Sequence, residues 1–415
     1  MQGARSFTIS KMLVYEAYQH VRENRGTYGV DQETLEQFDS DWKSGLYLIW
    51  NRMCSGTYFP PPVRLVEIPK GGGEKRPLGI PTIKDRIAQT VVVLTLSPSI
   101  EPQFHKDSYG YRPGRSAHDA LRTARRRCWQ FDWVIDLDIK RFFDTIDHAL
   151  LLKALRKHTT NKWVLLYVER WLKVPYQLKD GKLIERTQGV PQGSVIGPLL
   201  ANLFLHYAFD KWMSGHYPNT PFERYADDII CHCRSEEESE ALKRAISERM
   251  QACGLSLNET KSKIVYCKDS NRHLNYPVKQ FDFLGYSFMP RSVESRRGDY
   301  FTGFNPGLSK KSQKRIIERM RTWKLQRWVT RDLKSIAEGI NSVIQGWINY
   351  YGKFYPSALK DVLKLLNMRL VNWARRKFKR LRRHKTRAVY WLGRIAKQKP
   401  NLFAHWKWGV VPTAK

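Results

Sequence analysis

The stretch "FERYADDIICHC", Phe222 to Cys233, sets two adjacent carboxylates inside an otherwise apolar run. Tyr225 and Ala226 precede Asp227 and Asp228, and Ile229 and Ile230 follow at once. Such a run reads as a buried strand, yet aspartate is depleted in strands and is almost never fully buried unless paired. A buried, uncompensated carboxylate is too costly to persist. Either the strand turns at the pair or something opposite it compensates the charge. A tight hairpin turn that offers both side chains to a hard cation meets both conditions. Mg2+ prefers oxygen ligands and usually takes one or two carboxylates from protein, leaving room for substrate phosphates.

The missing partner lies upstream in "VIDLDIKRFFD", Val134 to Asp144. Asp138 ends a strand of its own, with Asp136 two residues earlier on the same face and Asp144 beyond the turn. Two neighbouring strands ending at one level bring Asp138 close to Asp227. Two cations about 3.5–4 Å apart could then activate an attacking hydroxyl and stabilise a leaving pyrophosphate. On spacing alone, two unrelated turn aspartates are an equal alternative, because Asp is common in turns. The order of motifs along the chain decides between them.

At 415 residues the chain exceeds one ordinary core and reads as two or three domains. No apolar run approaches a membrane span, and the opening residues lack the apolar region of a secretion signal. The six cysteines contain no Cys-x-x-Cys. Cys231 and Cys233 share one strand face and read as reduced packing residues rather than zinc ligands, which points to the cytoplasm. The net charge is +33 and uneven. From Pro306 to Lys415 there are 28 Lys and Arg against 4 Asp and Glu, while the first 305 residues carry 44 against 35. A basic module is appended to a nearly balanced one. A polyanion is the partner this implies, and interleaved Trp and Tyr favour nucleic acid over a merely solubilising surface.

Along the chain, Leu13, Val14, Ala17, Tyr18 and Val21 have helical spacing. "VEIPKGGGEKRPLGIP" from Val66 reads as two short strands joined by the glycines at 71–73. "TQGVPQGSVIGPLLANLF" passes from a Gly/Pro loop into a long apolar helix near Pro198. A helix opens at Ser235, where "SEEE" fits a capping box in which Glu238 reaches back to Ser235. "FDFLGYSF", Phe281 to Phe288, is a further strand candidate. Beyond Pro306 the pattern is helical, and Leu359, Val362, Leu363, Leu366, Leu370 and Trp373 form one apolar stripe. Trp347, Tyr350 and Tyr351 fit a helix core better than a base-stacking platform.

Taken in order, "DIKRFFD", "TQGVPQGSVIGPLLANLF", "YADD", "LNETKSK" and "FLGYSF" resemble a reverse transcriptase, and specifically the reverse transcriptase–maturase encoded by bacterial group II introns. "NRGTYGVD", "IPKGGGEKRPLGIPTIKDR" and "SYGYRPGRSAHDAL" are similar to that family's amino-terminal and finger blocks. "INSVIQGWINYYGKF" and "LFAHWKWG" resemble its maturase-specific domain. The resemblance runs from about Asn24 to Gly409.

The resemblance implies an α+β right-hand polymerase. Residues 1–60 would form an N-terminal extension, 61–300 the fingers and palm, and 301–415 an all-helical basic thumb or maturase domain. It implies an RNA-directed DNA polymerase that also binds intron RNA, assists splicing and serves intron mobility. Its partners would be intron and template RNA, a DNA primer or target and deoxynucleoside triphosphates, with no membrane. Asp138, Asp227 and Asp228 would be catalytic and would hold two Mg2+, or Mn2+ in their place, with help from the Ile139 carbonyl. Asp136 and Asp144 fall outside that set and read as structural. Lys70 and Arg76 on the finger hairpin, Gln192 and Gly193 in "VPQGS", and Lys261 would meet the incoming nucleotide. Phe143 stands where similar polymerases place an aromatic that blocks a ribose 2′-hydroxyl, with plain packing as its rival. Arg112 would contact the template, and Arg375, Arg376, Lys379 and Arg380 the nucleic-acid backbone. Many relatives carry a further endonuclease segment with paired Cys and His; none follows "WGVVPTAK", so the shorter, endonuclease-lacking form is expected. A host-defence or other non-intron role for the same polymerase and a non-enzymatic splicing factor are the competing functions.

Overall fold

The computed structural model describes residues 7–71, 74–295 and 297–413, without the side chains of Lys70, Gly71 and Glu74. The finger glycines 72 and 73 and the Lys70 side chain therefore lie outside the described residues. The chain forms two compact units. The first comprises 1–120 and 135–263, the second 121–134 and 264–415.

In the first unit, α1 (Lys11–Asn24) starts at Ser10, whose side chain accepts from the Met12 amide. Val14, Ala17, Tyr18 and Val21 form its buried stripe, and Leu13 is only half-buried. α1 packs on α2 (Trp42–Ser55) and on α3 (Ile83–Ile100). Tyr18 stacks on Trp42 at 5.9 Å and donates its hydroxyl to Asp39 at 2.6 Å. The amino-terminal segment is thus an integral part of this unit.

The glycine-linked segment is an antiparallel hairpin of β1 (Val63–Gly71) and β2 (Glu74–Ile80), with Ile68 opposite Arg76. β3 (Trp133–Asp138) follows the apolar run, burying Trp133, Val134, Ile135 and Leu137 while Asp136 and Asp138 stay partly exposed. Asp147 then caps α4 (His148–Leu155) through the Leu150 amide. α5 (Gly197–Leu205) opens the helix expected near Pro198. It runs on through a π-helical turn, His206–Asp210, and a last α segment, Lys211–His216.

The opening stretch is a hairpin. β4 (Phe222–Tyr225) and β5 (Asp228–Cys233) pair antiparallel, with Tyr225 opposite Asp228. β5 lies between β4 and β3 in one sheet. Cys231 and Cys233 are free thiols and fully buried, and burial pushes both above the usual thiol range. α6 (Glu236–Ala252) begins at Ser235, whose Oγ accepts from the Glu238 amide. The return bond differs from the expected capping box. The Glu238 carboxylate accepts from the Arg234 amide at 2.7 Å, one residue earlier, and also takes the Thr220 hydroxyl.

In the second unit "FDFLGYSF" is a hairpin rather than one strand. β6 (Phe281–Phe283) turns at Leu284 and Gly285, both at positive φ, into β7 (Tyr286–Glu294). Paired positive φ values are the two-residue turn that suits strand twist, and Gly285 supplies one of them without strain. β7 continues into a nine-residue ladder with β8 (Tyr300–Leu308). The expected domain edge at 301 falls inside that strand.

Helices follow from Ser309 onward: α7 (Lys310–Thr322), α8 (Leu333–Tyr351), α9 (Pro356–Lys377) and α10 (Lys385–Gln398). The α9 stripe is fully buried, and each such side chain contributes about 1.5–3 kcal/mol. Trp347 stacks on Trp323, while the Tyr350 hydroxyl donates to the Leu284 carbonyl and that of Tyr351 to Ser312. Tyr350 thus ties α8 to the β6–β7 hairpin, while Trp347 and Tyr351 tie α8 to α7 and its carboxyl-terminal end. Among the described residues no helix is long and apolar enough to cross a membrane.

Candidate active site

Asp138 ends β3 with its backbone held on both sides. Its amide donates to Ser262 Oγ at 3.2 Å, and its carbonyl accepts from the Asn258 amide at 2.7 Å. The Lys140 amide donates to the Ser256 carbonyl at 2.8 Å. These two backbone bonds flank an antiparallel bridge between Ile139 and Leu257, so the carbonyl of Ile139 points away from that segment. The Lys261 ammonium lies 3.9 Å from the Asp138 carboxylate. Both side chains are about half exposed, so their attraction is heavily screened.

The other carboxylates sit at the β4–β5 turn. Ala226 and Asp227 are its two central residues, and Ala226 has φ +57, a conformation that L-residues avoid. Asp227 is half-buried and Asp228, the first residue of β5, is exposed. The acidic pair therefore sits at the solvent end of a buried hairpin, which resolves its conflict with the apolar flanks. β5 is the neighbour of β3, so both acidic strand ends belong to one sheet. Tyr111, at φ +57, was not singled out by the sequence. Burial, and then the charge of Asp227, raises the pKa of its hydroxyl, with Arg76 opposing.

Among the described residues no three His, Cys, Asp or Glu side chains gather as a group able to hold a metal ion by themselves. The donor set nonetheless suits a hard cation that takes one or two carboxylates and completes its shell from water and phosphate oxygens. Asp138, Asp227, Asp228 and the Ile139 carbonyl offer oxygen only.

A second group connects the finger hairpin to the "VPQGS" loop. Arg76 donates through Nε to the Gln192 side-chain oxygen, and the Gln192 amide nitrogen lies 3.4 Å from Asp144. The Gly79 amide donates to the Gln192 carbonyl at 2.7 Å. Gly193 has φ +104, and a Cβ there would stand 2.5 Å from the Gly79 carbonyl. No other residue fits that approach. Below the loop, Gln89 accepts from the Val195 and Ile196 amides and donates to Asp85. Asp85 is wholly buried and also accepts from Tyr58 and Trp171. Burial raises its carboxyl to about 6 against those three donors. Nothing in local sequence distinguishes Gln89 or Asp85 from ordinary helix residues.

Phe143 is buried, 5.3 Å from Phe142 in an edge-on pair, and its carbonyl accepts from the Val190 amide. Arg112 turns inward. Its guanidinium donates to the Glu101 carboxylate and to the carbonyls of Glu101, His105 and Ser108, with 9% of the side chain exposed. The same donors that suit a template phosphate hold the 101–112 loop instead. In the second unit Arg375, Arg376 and Lys379 line an open concavity of about 900 Å3 with Arg369, Lys377 and Arg382. Arg380 is exposed nearby in sequence but not among its lining residues.

Residues 68–288 match the family described as reverse transcriptase (RNA-dependent DNA polymerase), which sets the class of the fold. Residues 313–391 match the group II intron maturase-specific domain. The chain belongs to the group II intron reverse transcriptase/maturase family. It is 30% identical to protein YkfC of Escherichia coli K12 over 310 residues, 66% of this chain and 78% of that one. It is 36% identical over 204 residues to the group II intron-encoded protein LtrA of Lactococcus lactis, covering 48% of this chain and 33% of LtrA. A putative COX1/OXI3 intron 1 protein of Saccharomyces cerevisiae is 23% identical over 81% of this chain and 48% of its own length. The chain thus spans a third to a half of these two intron-encoded relatives. Both matched domains imply RNA binding, and polymerases of this class work with divalent metal ions.

Proposed function

We propose that this protein extends a DNA primer on an RNA template, with Asp138, Asp227 and Asp228 as the carboxylates that hold two Mg2+ ions. The observation that carries the reading is the pair of acidic strand ends on neighbouring strands of one sheet, inside the segment that matches the polymerase family. In the step, the primer 3′-hydroxyl loses its proton to solvent, its oxygen forms a bond to the α-phosphorus of a deoxynucleoside triphosphate, and the bond to pyrophosphate breaks. Bound cations supply Lewis-acid activation of the hydroxyl and neutralise charge on the leaving group. Asp138 and Asp227 anchor that charge at fixed strand ends, and the Ile139 carbonyl adds an oxygen directed away from Leu257. Arg76 and Gln192, already bonded to each other, face the triphosphate. Lys70 and Lys261 join them, and Phe143 limits the space beside the sugar.

The polymerase region then takes in the 1–60 extension with 61–300, and the 301–415 thumb or maturase region begins inside β8. The basic region binds intron RNA and assists its splicing and mobility, in the cytoplasm. Primer extension on an RNA template with Mg2+ tests the reading. Asp227→Ala is expected to abolish extension while RNA binding survives. A wild-type protein that extends nothing across Mg2+ and salt concentrations overturns it. Loss of RNA affinity in the variant would make the carboxylate structural.

A further inference from the structure

Two residues before the turn alanine stands Arg224, and it is wholly buried. A guanidinium keeps its charge in a protein, so burial demands a full set of acceptors. Nε and Nη2 donate to the two carboxylate oxygens of Asp210 at 2.7 and 2.6 Å, a bidentate pair. Nη1 donates to Asn202 Oδ1 at 2.9 Å and to the Ala226 carbonyl at 3.2 Å. That carbonyl belongs to the peptide joining Ala226 to Asp227. The arginine therefore reaches forward along its own hairpin and holds the central peptide of the turn.

The helix that supplies both partners is shaped for this. Asn202 and Asp210 are eight residues apart, which in a regular α-helix leaves them about 80° apart around the axis. The π-helical turn His206–Asp210 winds at about 4.4 residues per turn and returns the second residue to nearly the same face as the first. Both acceptors then converge on one guanidinium. Asn202 also donates to the Gly110 carbonyl at 2.8 Å. Gly110 sits against the turn from outside, where a Cβ would lie 2.4 Å from the Ala226 amide nitrogen. The left-handed alanine is thus gripped through its carbonyl and hemmed in at its amide. An arginine that served only to neutralise Asp210 would need no bond to the turn.

We propose that Arg224 is a positioning residue for the candidate metal-binding carboxylates, holding the Ala226–Asp227 peptide in the conformation that presents Asp227. It rests on the polymerase reading above only for its catalytic consequence. The brace itself is a property of the turn.

The test uses the full chain and the paired substitution Arg224→Met with Asp210→Leu. Replacing a buried ion pair by apolar side chains of similar size is often neutral for stability. The expected result is an unchanged melting temperature with faster amide exchange confined to 225–228. Mn2+ binding, followed by electron paramagnetic resonance, should weaken by roughly tenfold or more, and kcat for extension should fall similarly at unchanged KM for primer-template. Unchanged exchange at the turn with unchanged Mn2+ affinity overturns the proposal. So does exchange that rises throughout β4 and β5 alike, which would mark a purely structural ion pair. If the paired variant does not fold, Arg224→Lys, which keeps a cation for Asp210 but lacks the second nitrogen that reaches the Ala226 carbonyl, is read by the same criteria. A wild-type protein inactive in extension would sink the polymerase reading, while the exchange measurement still decides the brace.

Discussion

Arg76 and Gln192 are 116 residues apart and share a hydrogen bond, Nε donating to the glutamine oxygen. The finger hairpin and the "VPQGS" loop are joined a second time by the Gly79 amide on the Gln192 carbonyl. Gln192→Ala removes the first link and leaves the second. The expected outcome is a KM for deoxynucleotide raised about tenfold, equivalent to about 1.4 kcal/mol, with little change in thermal stability. Single-nucleotide incorporation kinetics check it. An unchanged KM would leave the contact a purely structural link between hairpin and loop.

Phe143 is buried, so its truncation has two effects. Phe143→Ala should cost about 3 kcal/mol or more of stability through the cavity it leaves. If the ring also limits space at the sugar, the same variant incorporates ribonucleotides more readily. Competition between ribo- and deoxynucleotides, measured below the variant's melting temperature, separates the two. Destabilisation without altered sugar choice leaves only packing.

Asp85 gives a pH dependence with a definite sign. Burial raises its folded pKa from 3.8 to about 6, so over that interval the folded state binds more protons than the unfolded one. Stability from this group is fully present below 3.8 and is lost as pH rises through about 6. Asp85→Asn cannot titrate. The stability difference between wild type and variant, from denaturant midpoints, should therefore move against the wild type between 3.8 and about 6 and level off above. A flat difference would show that the carboxyl titrates alike in both states. The variant should also disturb extension, because Gln89, which Asp85 orients, holds the Val195 and Ile196 amides.

The basic concavity and the exposed Arg380 should act through counterion release. Replacing Arg375, Arg376, Lys379 and Arg380 by glutamine should reduce the slope of log K against log salt by about 0.7 for each lost contact with single-stranded RNA. An unchanged slope in filter-binding titrations would exclude this surface. Arg112→Gln should behave differently. With its donors committed internally, it should lower stability and leave the salt slope alone.

Much of this was legible in local pattern. The apolar flanks of Asp227 and Asp228 read as strand with a turn at the pair, because side chains alternate along a strand and a carboxylate must reach solvent or a cation; the turn takes Ala226 and Asp227, and Asp228 opens β5. The α9 stripe followed from helical spacing. What local pattern did not hold was the choice of partner in three dimensions. Glu238 took the Arg234 amide instead of that of Ser235. The eight residues of "FDFLGYSF" hid a turn at Leu284–Gly285. Arg112 has the chemistry for phosphate, and nothing in "YGYRPGRS" tells that four internal acceptors lie within its reach.

The sequence by itself determined the family, the acidic turn, the buried strands beside it and the placing of positive charge in the carboxyl-terminal quarter. Each is written in spacing or composition over at most a few tens of residues. The tertiary structure alone decided which polar groups meet. It set Arg76 on Gln192, Gln89 beneath the "VPQGS" loop, and Arg224 between Asp210, Asn202 and the Ala226 carbonyl. A buried donor must find an acceptor wherever the chain brings one, and that choice depends on distance in space rather than on position along the chain.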